Sequence, residues 1–380
     1  MLIILSSLSI PTLGQPSDRL MLGADQIDVI VSKLKDKKVA LLVNQTSMVG
    51  NAHLLDTLLN SGVNIIKIFA PEHGIRGQMP DGELIADDVD PKSGLPIISL
   101  YGNAKKPAKE QLDDVDVVVF DIQDVGVRFF TYSSSLYYLM EACGENNKTV
   151  MVLDRPNPHG SYVDGPMMHP DYESFIGLIA IPIVHGMTMA ELASMMLGEN
   201  WLGGGVKCKL EIVAMKNYNH SMPYTLPVTP SPNLPTQNAI LWYPSIALFE
   251  GTVVSVGRGT STPFEIIGNP DMKEFYSFSF TPKSIANMSK FPPHENRICY
   301  GIDLRNMKPE PKITLKYLLE FYNKYPQKDQ FFIPYFDKLA GSNILREQII
   351  SGMSEEDIRL TWQRDLNSFK ARRARYMLYD

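Results

Sequence analysis

The sequence predicts an α/β fold: a Rossmann-like three-layer domain with a mostly parallel sheet, followed by a smaller C-terminal α/β subdomain whose contact with the first forms a cleft. Three observations lead there. From about residue 26, short β-branched runs alternate with helical patterns, the order expected of βαβ units. The runs are apolar without period-two alternation, as strands covered on both faces are. Polar and charged residues recur where the runs finish, and open α/β sheets bind ligands beyond the carboxyl ends of their strands.

The strand candidates are Val39 to Asn44, Asn64 to Phe69, Pro96 to Leu100, Asp116 to Asp121 and Thr149 to Asp154. Between them, Gln26 to Lys35, Ala52 to Ser61 and Ser133 to Asn146 have helical spacing. After residue 160 the chain turns rich in Pro and Gly. Thr188 followed by Glu191 forms a capping-box signature for a helix in MAELASMMLG. Within Val228 to Gly268, Ala239 to Glu250 reads as a helix and Thr252 to Val256 as a strand. From about Phe275 a third region alternates β-like and helical patterns and closes with an amphipathic helix from Ser354 to Leu378. The division expected is 1–18, 19–270 and 271–380.

The bulk numbers exclude several classes. A chain of 380 residues, 44% hydrophobic, can bury a large core. The net charge of -6 comes from 36 basic and 42 acidic residues without a block of either sign, so no nucleic-acid partner is expected. The cluster Lys370 to Arg375 reads as the solvated face of a last helix. Cys143, Cys208 and Cys299 lack C-x-x-C spacing, which suggests neither a zinc site nor a disulfide framework. The apolar run in MLIILSSLSIPTLGQPSDR is too short to span a bilayer and suits a signal-peptide core or a buried strand. Export to the periplasm or the exterior is the expectation, without a membrane span elsewhere. No G-x-G-x-x-G, Walker-type loop or G-x-S-x-G elbow occurs, and no cofactor is expected.

The strand-end clusters hold the chemistry. Asn44 ends the first run; Glu72, His73 and Arg76 lie in FAPEHGIRG after the second; Asp121, Gln123, Asp124 and Arg128 lie in DIQDVGVRFFTY; Arg155, Asn157 and His159 lie in DRPNPH. Glu72 is the candidate general acid, since a carboxyl at a buried strand end can have a raised pKa. His73 would orient it or move the proton itself. Asp121 and Asp124 form a second acidic pair, and paired carboxylates are what glycoside hydrolysis requires. In FEGTVVSVGRGT, glycines flank Arg258, Thr260 follows, and Glu250 is either a second catalytic carboxylate or the partner of Arg258. The seven histidines show no H-x-x-x-H pair, and no metal is expected.

Taken together, PEHGIRG, SLYG, DIQDVGVRFFTY, LDRPNP, HGMTMAELA, PSPNLPT, FEGTVVSVGRGT and ARYMLY resemble the exo-beta-N-acetylmuramidase family of bacteria, the NamZ-like glycoside hydrolases, over nearly the whole chain from about residue 20. The resemblance implies an exported enzyme of peptidoglycan turnover, its active site in the cleft between the two parts, that releases N-acetylmuramic acid from the non-reducing end of peptidoglycan-derived saccharides. It places the catalytic acid at Glu72 beside His73. The family's D-x-Q-D motif falls on Asp121, Gln123 and Asp124, and its G-R-G-T loop on Arg258 and Thr260. The lactyl carboxylate of the sugar calls for a cation, for which Arg76, Arg128, Arg155 and Arg258 are candidates. Tyr132, Phe129 and Trp242 are candidate apolar faces for the ring. A carboxyl separation of about 5 Å would mean retention and one of about 6.5–9.5 Å inversion; participation of the substrate's 2-acetamido group is a third route. A non-catalytic sugar or muropeptide binding protein is the alternative from another class, and oligomeric state is open.

Overall fold

The structure, a computed structural model, describes residues 19–71, 74–75, 88–102 and 104–380. The expected signal segment, Glu72, His73 and Arg76 lie outside the described residues.

The predicted runs become β1 (Val39–Val43), β2 (Ile65–Ala70), β4 (Pro96–Ser99), β5 (Val117–Asp121) and β6 (Thr149–Leu153), and a short strand that the sequence reading lacked, β3 (Asp88–Val89), precedes β4. Beyond them come β7 (Asp164–Met167), β8 (Pro182–Val184) and β9 (Lys209–Val213). A seven-stranded sheet runs in the order β9-β6-β5-β1-β2-β4-β3. Its strands are parallel except at the edge, where β3 runs antiparallel to β4. β7 and β8 form a separate antiparallel pair.

The absence of alternation in the strands has its expected cause. Leu41, Val43, Val119 and Leu153 enter one core cluster with Ile30 of α1 (Ile27–Leu34) and Leu54 and Leu58 of α2 (Leu54–Asn60). Ala40, Leu42, Phe120 and Val152 enter another on the opposite face. After the single turn α3 (Lys109–Leu112), that second face is covered by Leu136 and Leu139 of α4 (Tyr132–Glu145) and Leu192 and Met196 of α5 (Met189–Gly198). The central strands β1, β5 and β6 therefore feed two cores, which takes apolar residues on both faces of each strand.

Local capping sets the helix starts. Thr188 accepts from the Glu191 amide at 3.3 Å while Glu191 accepts from the Thr188 amide at 2.9 Å, the reciprocal pair the sequence predicts. The helix expected from Ala52 begins at Leu54, because Ala52–His53 pairs with Met48–Val49 in a short hairpin. His53 then caps α2, its Nδ1 accepting from the Leu55 amide at 3.2 Å.

The C-terminal part opens with α6 (Gln237–Ile246), capped by Thr236 and continued as a 3-10 turn, Ala247–Gly251. Thr252 to Val256 does not form the strand expected of it. Its backbone groups go singly to different elements, Val253 N to Phe331 O at 3.0 Å and Ser255 N to Gly268 O at 2.8 Å, so no ladder develops. A three-stranded antiparallel sheet, β10-β12-β11, combines β10 (Ile266–Asn269), β11 (Phe278–Phe280) and β12 (Cys299–Asp303). Helices α7 (Lys316–Lys324), α8 (Tyr335–Ala340), α9 (Ile344–Ile350) and α10 (Glu355–Arg373) complete it. Phe249, Phe321, Phe336 and Trp362 join the same core cluster as Leu42 and Leu136, so one apolar core runs through both parts.

α10 stops five residues short of the expected Leu378 because the tail turns back onto the large sheet. Tyr379 donates to Asp154 at 2.7 Å and the Leu378 amide to Glu191 at 2.8 Å. Among the described residues no helix is long and apolar enough to cross a membrane.

Candidate active site

The strand-end clusters that the structure describes, those of Asn44, Asp121 and Asp154, meet at the carboxyl edge of the sheet, in two tiers. The lower tier is a buried polar network. Asn44, at the end of β1, donates through Nδ2 to the Tyr132 hydroxyl at 2.9 Å and accepts through Oδ1 from Thr46. Thr46 in turn accepts from the Gln123 amide at 2.9 Å. Ser47 bridges β1 to β5 by donating to the Asp121 carbonyl.

Asp121 is fully buried and meets Arg155 edge-on, accepting from Nε at 2.5 Å and from the terminal nitrogen at 2.8 Å. Arg155 also donates to the Met48 carbonyl. Gln123 ties the cluster down by donating to the carbonyls of Asp124 and Pro156 at 2.8 and 2.7 Å. Asn157 donates to Met187 O and accepts from the His159 amide. His159 donates through Nδ1 to Val125 O at 2.6 Å, and burial lowers its pKa to about 4, so it is neutral.

Asp124 differs from Asp121. Among the described residues it has no cation partner, and burial raises its carboxyl to about 7. One oxygen accepts from the Gly126 amide at 2.6 Å. Gly126 has a φ of +75°, and a side chain there would collide with Asn157. The tight turn read from the sequence is therefore real, and it packs against the next cluster.

Arg128 is 1% exposed. It donates to the carbonyls of Pro166, Ile181 and Leu339 at 2.8–3.1 Å, joining the β7–β8 pair to the end of α8. Burial lowers its pKa to about 9.

The upper tier is a cavity of about 470 Å³. The N-terminal part lines it with Tyr101, Phe129, Phe130, Tyr132 and Phe175. The C-terminal part adds Tyr243, Glu250, Arg258, Lys290 and Phe291. Glu250 accepts from Arg258 Nε at 2.5 Å, and the guanidinium lies 5.3 Å from the centre of the Phe264 ring. Phe264 has a φ of +63°, a left-handed conformation costly for a bulky residue. Its amide donates to Val256 O at 2.7 Å, closing the loop under Arg258. Thr260 turns inward, its hydroxyl donating to Gly257 O at 2.7 Å.

Of the predicted site residues, the structure thus brings Tyr132, Glu250 and Arg258 to the cavity, with Phe129 beside them. It sets Asn44, Asp121, Gln123, Asp124, Arg155 and Asn157 in the buried polar network, which reaches the cavity through the Asn44–Tyr132 hydrogen bond, and places Arg128 in a separate structural junction. Trp242 packs on Tyr317 and donates to Met307 O. Tyr101, Phe175, Tyr243, Lys290 and Phe291 were missed. Tyr101 had a signal, since it follows β4 at its carboxyl end as Pro71 follows β2, and Ala70 pairs with Ser99. Lys290 and Phe291 lie in a loop without periodicity. Among the described residues no cluster of His, Cys, Asp and Glu could hold a metal ion.

The chain is similar to known proteins over most of its length. The chain is 38% identical to the peptidoglycan beta-N-acetylmuramidase NamZ of Bacillus subtilis (strain 168), over 91% of this chain and 88% of that protein. Two crystal structures of DUF1343 family proteins from Bacteroides fragilis NCTC 9343 superpose with it. One has a TM-score of 0.89 at 44% identity, covering 95% of this chain and 99% of the other. The second has a TM-score of 0.82 at 29% identity, covering 96% and 100%. The N-terminal family model of the exo-beta-N-acetylmuramidase NamZ matches residues 39–238 and its C-terminal model residues 241–379, so the chain belongs to the NamZ exo-beta-N-acetylmuramidase family of glycoside hydrolases.

Proposed function

We propose that this chain is an exo-acting glycoside hydrolase that releases N-acetylmuramic acid from the non-reducing end of peptidoglycan fragments, with Glu72 as general acid. The observation that carries the reading is the pairing of aromatic walls with Arg258 in one cavity enclosed by both parts of the chain. Rings such as Tyr132 and Tyr243 suit the apolar faces of a pyranose. A guanidinium suits the lactyl carboxylate that distinguishes N-acetylmuramic acid from N-acetylglucosamine.

Glu72 follows Pro71 directly beyond β2. It protonates the glycosidic oxygen as the bond from that oxygen to the anomeric carbon breaks, and water supplies the hydroxyl that replaces the leaving sugar. Among the described residues Glu250 is the carboxylate that lines the cavity, and its partner Arg258 orients it. Asp121 is engaged by Arg155, and its role is to hold the network under the site. The apolar N-terminal run and a cell-wall substrate together favour an exported enzyme.

The test is product analysis. The purified chain, given a muramyl-N-acetylglucosamine disaccharide and longer fragments with muramic acid at the non-reducing end, should release free N-acetylmuramic acid one residue at a time. No release, or cleavage at internal bonds, would sink the proposal.

A further inference from the structure

We propose that Phe291 is the platform for the sugar on the leaving-group side of the scissile bond; the inference rests on the muramidase reading above. Among the aromatic residues around the cavity, exposure rises from the interior to the mouth. Phe129, Phe130, Tyr132 and Tyr243 are 3–9% exposed, Tyr101 and Phe175 are half-buried, Tyr335 is 38% exposed, and Phe291, lining the same space, is 82% exposed. The inner rings can meet only a residue that has fully entered. A phenyl ring at the rim meets whatever still projects from the mouth.

The segment carrying Phe291 is fixed to the site. Pro292 sits on Gly259, where an added Cβ would lie 2.6 Å from the proline ring and 2.6 Å from the Lys283 carbonyl. The Lys283 amide donates to Gly259 O at 2.9 Å, and the His294 ring to Val253 O at 2.7 Å. Asn233 holds the near side by donating to Met288 O at 2.8 Å. Gly259 is the neighbour of Arg258, so the rim ring and the cavity's guanidinium are mounted on one loop assembly. An exo-acting enzyme encloses the terminal sugar and leaves the next one outside. The C–H face of that second pyranose, an N-acetylhexosamine, would stack on the Phe291 ring.

The test compares Phe291→Ala and Phe291→Trp with the wild-type chain on the muramyl disaccharide, together with inhibition by free N-acetylmuramic acid. The alanine variant should raise KM for the disaccharide about tenfold with kcat within about twofold, the pattern of lost uniform binding. The inhibition constant of free N-acetylmuramic acid should stay within about twofold, and tryptophan should restore KM. An unchanged KM, a fall in kcat alone, or a parallel loss of affinity for free N-acetylmuramic acid overturns the platform. Absence of disaccharide cleavage by the wild-type chain instead removes the muramidase reading, and the platform with it.

Discussion

Arg155 and Asp121 face each other as a two-point ion pair at 2.5 and 2.8 Å, the arginine 4% exposed and the aspartate not at all. Removing one partner leaves the other charge buried without compensation, a loss of about 3–5 kcal/mol. Asp121→Asn should therefore lower unfolding free energy by that order in urea titration. A loss near that of an exposed pair, about 0–1 kcal/mol, would contradict the assignment of Asp121 to the framework.

Asp124 predicts a pH dependence of stability. Burial raises its folded pKa from 3.8 to about 7, so the native state holds a proton that the unfolded chain releases. The stability this confers is complete below the unfolded value and is lost as pH rises through about 7, with a slope of about 1.4 kcal/mol per pH unit between the two. Asp154, raised to about 6 by burial, acts with the same sign in wild type and variant alike. Unfolding titrations of wild type and Asp124→Asn should thus diverge between about pH 4 and 7, the wild type having the steeper decline. Parallel profiles would show that Asp124 is ionised in the native state.

The tail contributes through Tyr379, which donates to Asp154 and accepts from the Met215 amide at 2.9 Å. Tyr379→Phe leaves a buried carboxylate oxygen without that donor and should cost about 1–3 kcal/mol, measured by thermal or urea unfolding. An unchanged midpoint would mean that the last residues do not anchor the C-terminal helix.

These buried groups show where sequence reading stops. Five of the seven strands of the large sheet were legible because continuous apolar runs such as Val39–Val43 have few other readings; the edge strands Asp88–Val89 and Lys209–Val213 carry charged residues and left no such run. The capping box at Thr188 was legible because it needs only local spacing. Thr252 to Val256 has the composition of a strand, yet its partners come from Phe331 and Gly268, contacts that no local pattern encodes. Arginine positions were the hardest to interpret. Arg128, Arg155 and Arg258 all follow plausible site motifs, and only burial and partners separate a structural junction, a framework pair and a cavity residue. Phe291 reaches the cavity through the packing of its neighbour Pro292 on Gly259 and left no mark in its own neighbourhood.

Arg258 carries the selectivity prediction. Hydrogen bonds to charged groups contribute about 1.5–3 kcal/mol, so Arg258→Met should lower kcat/KM on a muramic acid glycoside by roughly 10- to 100-fold. The same variant should change hydrolysis of the matching N-acetylglucosaminide little, which narrows the preference between the two. Equal losses on both substrates would assign Arg258 to holding Glu250 rather than to reading the lactyl group.

The central claim is that Glu72 donates the proton to the leaving oxygen. Release of N-acetylmuramic acid from a muramyl disaccharide, compared between wild type and Glu72→Gln at matched folded concentration, tests it directly. Loss of a general acid costs about a hundred- to ten-thousand-fold, so kcat should fall by that order with unfolding behaviour unchanged. Release within about threefold of wild type would contradict it and move the acid to another carboxyl.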